Sequence, residues 1–362
     1  MNTMLNRSIK LLLTVLALAL LPAAGAAAAG PSGAVVFSQA ILAAGEGAAA
    51  GEAEGGLYAA RRGRLNRLTE NPADSQPDFS PDGRRIAFVR DGDIWAMRAD
   101  GSGQYPLTSG PEVDGRPQFA PNGRYLAFER RAAGTERPRD LYTVRLDGSR
   151  LHDLVSFVED VHDATFSPDG RRIAFVRSMA RHDSGYSDDV YVVRPSGAGL
   201  RRVTVTYRVD EFSPRFFRGG IVYSRGESEP GPAAYADVYT MRTSGIRQRP
   251  LVRGAGSAFV EDVAPNGRAV LFRRDQGLWL KRIGRGRARK LSVVADNSAT
   301  NAVFSSDGRK VAAFVAADGA ETLSAIDVAS RRRVGLAAGF SLQSGSVATS
   351  IGPVMAWQPV RR

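Results

Sequence analysis

The chain has 362 residues, 43% of them hydrophobic and 24% charged, a balance ordinary for a folded globular protein and one that excludes general disorder. It has no cysteine, which excludes disulfides, thiolate catalysis, cysteine metal sites and an acylated lipoprotein cysteine. The net charge of +12 favours anionic partners, yet the arginines are scattered through the chain rather than set along one stripe. No aromatic-plus-basic RNA-binding motif accompanies them, so nucleic acid is not expected as a partner.

At the N-terminus, Arg7 and Lys10 precede an apolar run from Leu11 to Leu21. Pro22 and a small-residue stretch follow, with Ala24-Gly25-Ala26 or Ala27-Ala28-Ala29 as cleavage sites. Charged start, short apolar core and small-residue exit describe a secretory signal peptide over residues 1–29. Pro22 and Gly25 make the same span a poor membrane helix. The expectation is a secreted or periplasmic monomer, with residues 30–362 as a single domain and no transmembrane segment after signal cleavage.

Past the leader, 34–37 (AVVF), 56–61 (GLYAAR) and 65–69 read as second, third and fourth strands of a unit that lacks its first. Then one pattern returns six times. It is FSPDGRRIAFVR at 79–90 and again at 166–177, FAPNGRYLAFER at 119–130 and a shortened FFRGGIVYSR at 216–225. VAPNGRAVLFRR at 263–274 and FSSDGRKVAAFV at 304–315 complete the set. Repeats at intervals of roughly 40–50 residues indicate propeller blades.

Within a repeat, Gln76 to Ser80 is a short strand and Ser80-Pro81-Asp82-Gly83 a hairpin turn. Proline presets φ there, aspartate bonds back to the backbone and glycine takes positive φ. The uninterrupted apolar run Ile86 to Val89 fits a strand covered on both faces, as between neighbouring blades. Asp91-Gly92 turns into a third strand, DIWAMR at 93–98, and a further turn leads to the outer strand near Tyr105. The third strand recurs as DLYTVR, DVYVVR, DVYTMR and GLWLKR, which places arginine at 61, 98, 145, 194, 242 and 282. These arginines are expected to pair with turn carboxylates such as Asp82 and Asp169. At the C-terminus, 353–359 (PVMAWQP) resembles an isolated first strand aligned on Trp357. The predicted fold is all-β: a seven-bladed β-propeller of four-stranded antiparallel blades. Pairing of N- and C-terminal strands closes it, with blade one divided between about 34–70 and 340–362.

The xSPDGxxIAF pattern followed by D-[LIV]-[YW]-x-x-R resembles the WD-like β-propeller repeat of the TolB family, over nearly the whole chain past the leader. That resemblance implies envelope partners such as the peptidoglycan-associated lipoprotein, and an α/β domain ahead of the propeller. Here the first blade begins close to the expected cleavage site, so neither that domain nor an orthodox Tol–Pal role is expected. The same repeat builds the propeller gate of prolyl-oligopeptidase-type peptidases, but no G-x-S-x-G nucleophile elbow occurs in this chain.

Histidines occur only at 152, 162 and 182, with no H-E-x-x-H spacing, so neither a metal nor another cofactor is expected. Acidic residues precede several first strands (Asp74, Asp114, Asp160, Asp163, Asp210, Glu211 and Asp262), which predicts a partial carboxylate ring at one mouth of the channel, with His162 among them. Long connections at 130–139, 178–188 and 225–236 fall on three consecutive blades, and long loops carry binding more often than tight turns do. Arg131, Arg139, Arg181, His182, Tyr186 and Tyr235 are the contact candidates there. No catalytic residue is assigned. The functional expectation is a non-catalytic binding or scaffold module for a protein, a peptide or an anionic cell-envelope polymer. The alternative is a metal-dependent, lactonase-like hydrolase or lyase with its site at the channel mouth.

Overall fold

The computed structural model describes residues 33–41, 54–61, 63–134, 139–157, 159–180, 186–206, 209–227, 235–254, 256–293, 302–317, 320–336, 342–343 and 355–357. The expected leader and the candidates Arg181 and His182 lie outside the described residues, and of Tyr186 only the backbone is described. Among the described residues every regular element is a strand, and no helix is long and apolar enough to cross a membrane.

Blade two shows the plan, with inner strand Ser75–Phe79, second strand Arg85–Arg90, third strand Asp93–Arg98 and outer strand Tyr105–Pro106. Inner strands Val113–Phe119, Val161–Phe166, Val209–Phe217, Ala258–Val263 and Val303–Phe304 open blades three to seven, and each sheet keeps the same strand order. Blade one is the predicted composite. Met355–Trp357 is its inner strand and pairs antiparallel with Val35–Ile41, Trp357 opposite Val35 and Met355 opposite Phe37. This inner strand packs against those of blades two and seven, so no sheet edge is left at the seam. The short strand Leu342–Gln343 pairs with Ala320 and Glu321 of blade seven.

Seven hydrophobic clusters hold the ring, one at every junction between blades. The IAF triplet explains them. Ile86 and Phe88 point back into the cluster shared with blade one, whereas Ala87 and Val89 point forward to blade three, where Phe128 docks. Leu126 and Phe128 point back in turn, and Ala127 faces blade four. Large residues on one face and alanine on the other let identical sheets nest at crystal-like density. Blade seven departs from this. Its extra alanine shifts the aromatic by one position, which moves a side chain to the opposite face of a strand. Phe314 accordingly faces forward, meeting Phe37 edge-on at 5.9 Å.

The first hairpin turn is self-contained. The Ser80 hydroxyl donates to Asp82 Oδ1 at 2.7 Å and accepts the Arg85 N–H, while Asp82 also accepts the Arg84 N–H. Asp169 and Asp307 repeat this with their own serines. These carboxylates are therefore consumed locally, and the expected pairing with the third-strand arginines does not occur. Arg61, Arg98, Arg145, Arg194, Arg242 and Arg282 are all exposed, and none forms a salt bridge among the described residues. What recurs at this position is backbone use: the N–H of Arg98, Arg145, Arg194 or Arg242 and its own carbonyl each close the turn to the outer strand.

Candidate functional site

The internal arginine belongs to another recurrent position, the end of the second strand. Arg90 donates to both oxygens of buried Asp74 at 2.6 and 2.7 Å, and its guanidinium lies over Phe88 and Trp95. Arg130 does the same with Asp114 at 2.7 and 2.8 Å, over Phe128 and Tyr142. Arg177 reaches Glu159 at 2.5 Å over Phe157, and Arg225 approaches Glu211 at 3.6 Å over Tyr239. A forked guanidinium on a carboxylate with an aromatic beneath suits a half-dry rim, since it satisfies both charges. Asp74, Asp114 and Glu211 are thus each paired with a second-strand arginine of their own blade. Glu211 also accepts the Thr206 hydroxyl, and burial pushes its carboxyl up to about 7.

The inner strands carry a second repeated device. Gln76, Arg116, Asp163 and Ser213, each three residues before a phenylalanine (Phe79, Phe119, Phe166 and Phe216), adopt left-handed φ values of 51–55° at β-bulges. A bulge removes a backbone N–H from the ladder, and that donor needs another acceptor. The preceding blade supplies it. Gln76 Oε1 accepts the Arg116 N–H, Glu129 Oε1 the Asp163 N–H and Asp163 Oδ2 the Ser213 N–H. At the next register the N–H groups of Phe119, Phe166 and Phe304 donate to Asp78, Gln118 and Asp262. Burial pushes the Asp78 carboxyl up to about 7 even though it accepts backbone N–H groups.

Between blades three and five the two devices merge into one ionic cluster. Asp160 accepts the backbone N–H of Arg139 at 2.7 Å and its guanidinium at 3.1 and 2.5 Å. Arg139 also donates to buried Glu129 at 3.1 Å. Arg116 reaches Asp163 at 2.7 Å and Glu129 at 3.5 Å. His162 lies between Asp163 and Asp188, at 3.7 and 3.6 Å, with the Ser178 hydroxyl at 3.5 Å. Burial alone would lower the imidazole's proton affinity, but the two carboxylates push it up to about 10, so it is a cation at neutral pH. Burial would raise Asp163, yet His162, Arg116 and Arg215 hold it far below the usual carboxylate range.

The channel mouth therefore unites Asp160, Arg139, His162 and Asp163 from the sequence reading with Glu129, Arg116, Asp188 and Ser178, which that reading missed. Glu129 was legible as the acid that directly follows the apolar run YLAF, a position where no other repeat carries an acid. Asp210 accepts the backbone N–H of Asp188 at the edge of this cluster. Arg131 is half-buried beside it without a side-chain partner among the described residues, and Tyr235 is 51% exposed. Of the connections expected at 130–139 and 178–188, the closing residues Arg139 and Asp188 donate their N–H groups to Asp160 and Asp210, while 178–180 and 186–188 extend the flanking strands. Among the described residues, no three His, Asp or Glu side chains converge as a metal site.

No family model matches the chain, and no curated protein matches it. Solved structures do resemble it. An oligogalacturonate lyase from Vibrio parahaemolyticus superposes with a TM-score of 0.61 at 12% identity, over 76% of this chain and 85% of that one. A puromycin-hydrolyzing peptidase from Mycobacterium tuberculosis gives 0.62 at 17%, over 81% of this chain and 50% of that one. TolB from Acinetobacter baumannii gives 0.52 at 15%, over 90% and 82%. At such identities the likeness is one of fold: the chain is a seven-bladed propeller, and TolB is among the propellers it is similar to.

Proposed function

We propose that the chain is an exported, non-catalytic binding module that holds a protein, peptide or cell-envelope polymer on the mouth face above blades three to five. The observation that carries this reading is the mutual compensation of charge in the mouth. Glu129, Asp160 and Asp163 are each held by arginine, and His162 is held as a cation by two carboxylates. A general base needs a free lone pair and a proton affinity near the working pH. Locked ion pairs supply neither, but they present a rigid pattern of charge to a partner. Arg131 and Tyr235, at connections between second and third strands of blades three and five, offer a cation and an exposed aromatic ring, side chains favoured as interface anchors.

Capture from an envelope extract tests the proposal. Wild-type protein is expected to retain a specific partner that an Arg131→Glu/Tyr235→Ala variant of equal thermal stability releases. Equal recovery by both would move the binding surface elsewhere. Turnover that depends on a divalent metal retained through purification would replace the proposal with an enzymatic one.

A further inference from the structure

The face opposite the mouth has a different character. Turns joining inner to second strands and third to outer strands all emerge there, as the Ala99 N–H to Arg84 carbonyl and Ile283 N–H to Arg268 carbonyl bonds show. The six exposed third-strand arginines stand on this face, one per blade from one to six, and the nearest turn aspartates are engaged by their own turns. Between blades two and three a groove of about 690 Å³ opens among Arg85, Arg124, Arg145 and Tyr105. Its single acid, Asp147, accepts both the N–H and the hydroxyl of Ser149. None of the three guanidiniums forms a salt bridge among the described residues, although Ser149 and, secondarily, Arg145 hold the Asp147 carboxyl below its ordinary range.

The same face carries exposed aliphatic side chains on three consecutive blades. Leu151 is 48% exposed, Leu200 41% and Ile246 55%, each beside the turn that begins with Arg145, Arg194 or Arg242. A hydrophilic polyanion would engage the arginines and leave these side chains without purpose. A lipid surface uses both, because guanidiniums meet headgroup phosphates while short aliphatic tips enter the acyl boundary.

We infer that this arginine face docks on an anionic phospholipid surface, with the Arg85–Arg124–Arg145 groove taking a headgroup phosphate and Leu151, Leu200 and Ile246 entering the interface. Docked so, the propeller turns its mouth away from the lipid, leaving the proposed partner face open. The inference does not depend on what that mouth binds.

Co-sedimentation with vesicles of phosphatidylglycerol and phosphatidylcholine, against vesicles of phosphatidylcholine alone, is the test. Wild-type protein is expected to bind the anionic vesicles and to weaken as salt rises. Arg85→Glu/Arg124→Glu/Arg145→Glu should lower partitioning by about a hundredfold. Leu151→Ser/Leu200→Ser/Ile246→Ser should lower it by about tenfold with its thermal stability unchanged. A third arm adds soluble polyphosphate. Equal binding to both vesicle types would overturn the inference. So would an aliphatic variant that binds anionic vesicles as well as wild type does while polyphosphate competes fully, since the face would then be a site for soluble polyanion.

Discussion

Arg90 and Arg98 close neighbouring strands of one blade, and they do opposite things. Arg90 lies over two aromatic rings and grips a buried carboxylate, whereas Arg98 is exposed, its guanidinium reaching the Ser102 hydroxyl of its own turn at 3.4 Å. The contrast extends around the propeller, because second strands end at the mouth and third strands at the opposite face. At the mouth, bulged inner strands and long connections bring carboxylates within reach of Arg90, Arg130, Arg177 and Arg225, one second-strand arginine in each of blades two to five. At the other face, tight turns engage their own aspartates, and the arginines stay exposed without a salt bridge among the described residues. One residue type, repeated blade after blade, thus serves as scaffold at one end and as free charge at the other.

Mutation separates the two roles most sharply at Arg130 and Arg145. Arg130→Ala strands the fully buried Asp114 carboxylate and should cost about 3–5 kcal/mol in denaturant unfolding. His162→Gln comes next, with an expected loss of about 1.5–3 kcal/mol at neutral pH. Its pH profile carries the sign. The imidazole's folded pKa of about 10 exceeds its unfolded value, so its contribution is complete below about pH 6.5 and disappears as pH rises through 10. Thermal melts of the variant across that window should run parallel to pH, where wild type declines.

Asp78 titrates in the contrary sense. Its carboxyl is raised to about 7 by burial, so the folded state favours the protonated form and stability falls as pH climbs from about 4 to 7. Asp78→Asn keeps an oxygen for the Phe119 N–H and should raise stability above pH 7 by about 1 kcal/mol, with the acid-to-neutral decline abolished. Arg145→Ala, at the opposite face, should change stability by less than about 0.5 kcal/mol. A large loss there would mean that the exposed arginines are scaffold after all, and the contrast between the two ends would fail.

Much of this was readable before any coordinates. The SPDG turns, the IAF triplets and the spacing of their copies specify blades, since each rests on local backbone preference or on a period-two alternation of side chains. The first-strand character of 353–359 even disclosed how the ring closes. The arginine assignment failed for a physical reason. Both arginine positions recur equally well, and recurrence does not say which carboxylates lie within reach. The mouth cluster was half legible: Asp160, His162 and Asp163 were visible as a polar knot, and Arg139 as a loop residue. Their partners Arg116 and Glu129 sit in the neighbouring blade's strands, far away along the chain.

Local sequence by itself therefore determined the blade, its turns and the number of blades, because hydrogen bonding and strand alternation act over a few residues. Only the tertiary structure decided which charges neutralise one another and which face water. That choice depends on distances between blades, which closure of the ring imposes all at once.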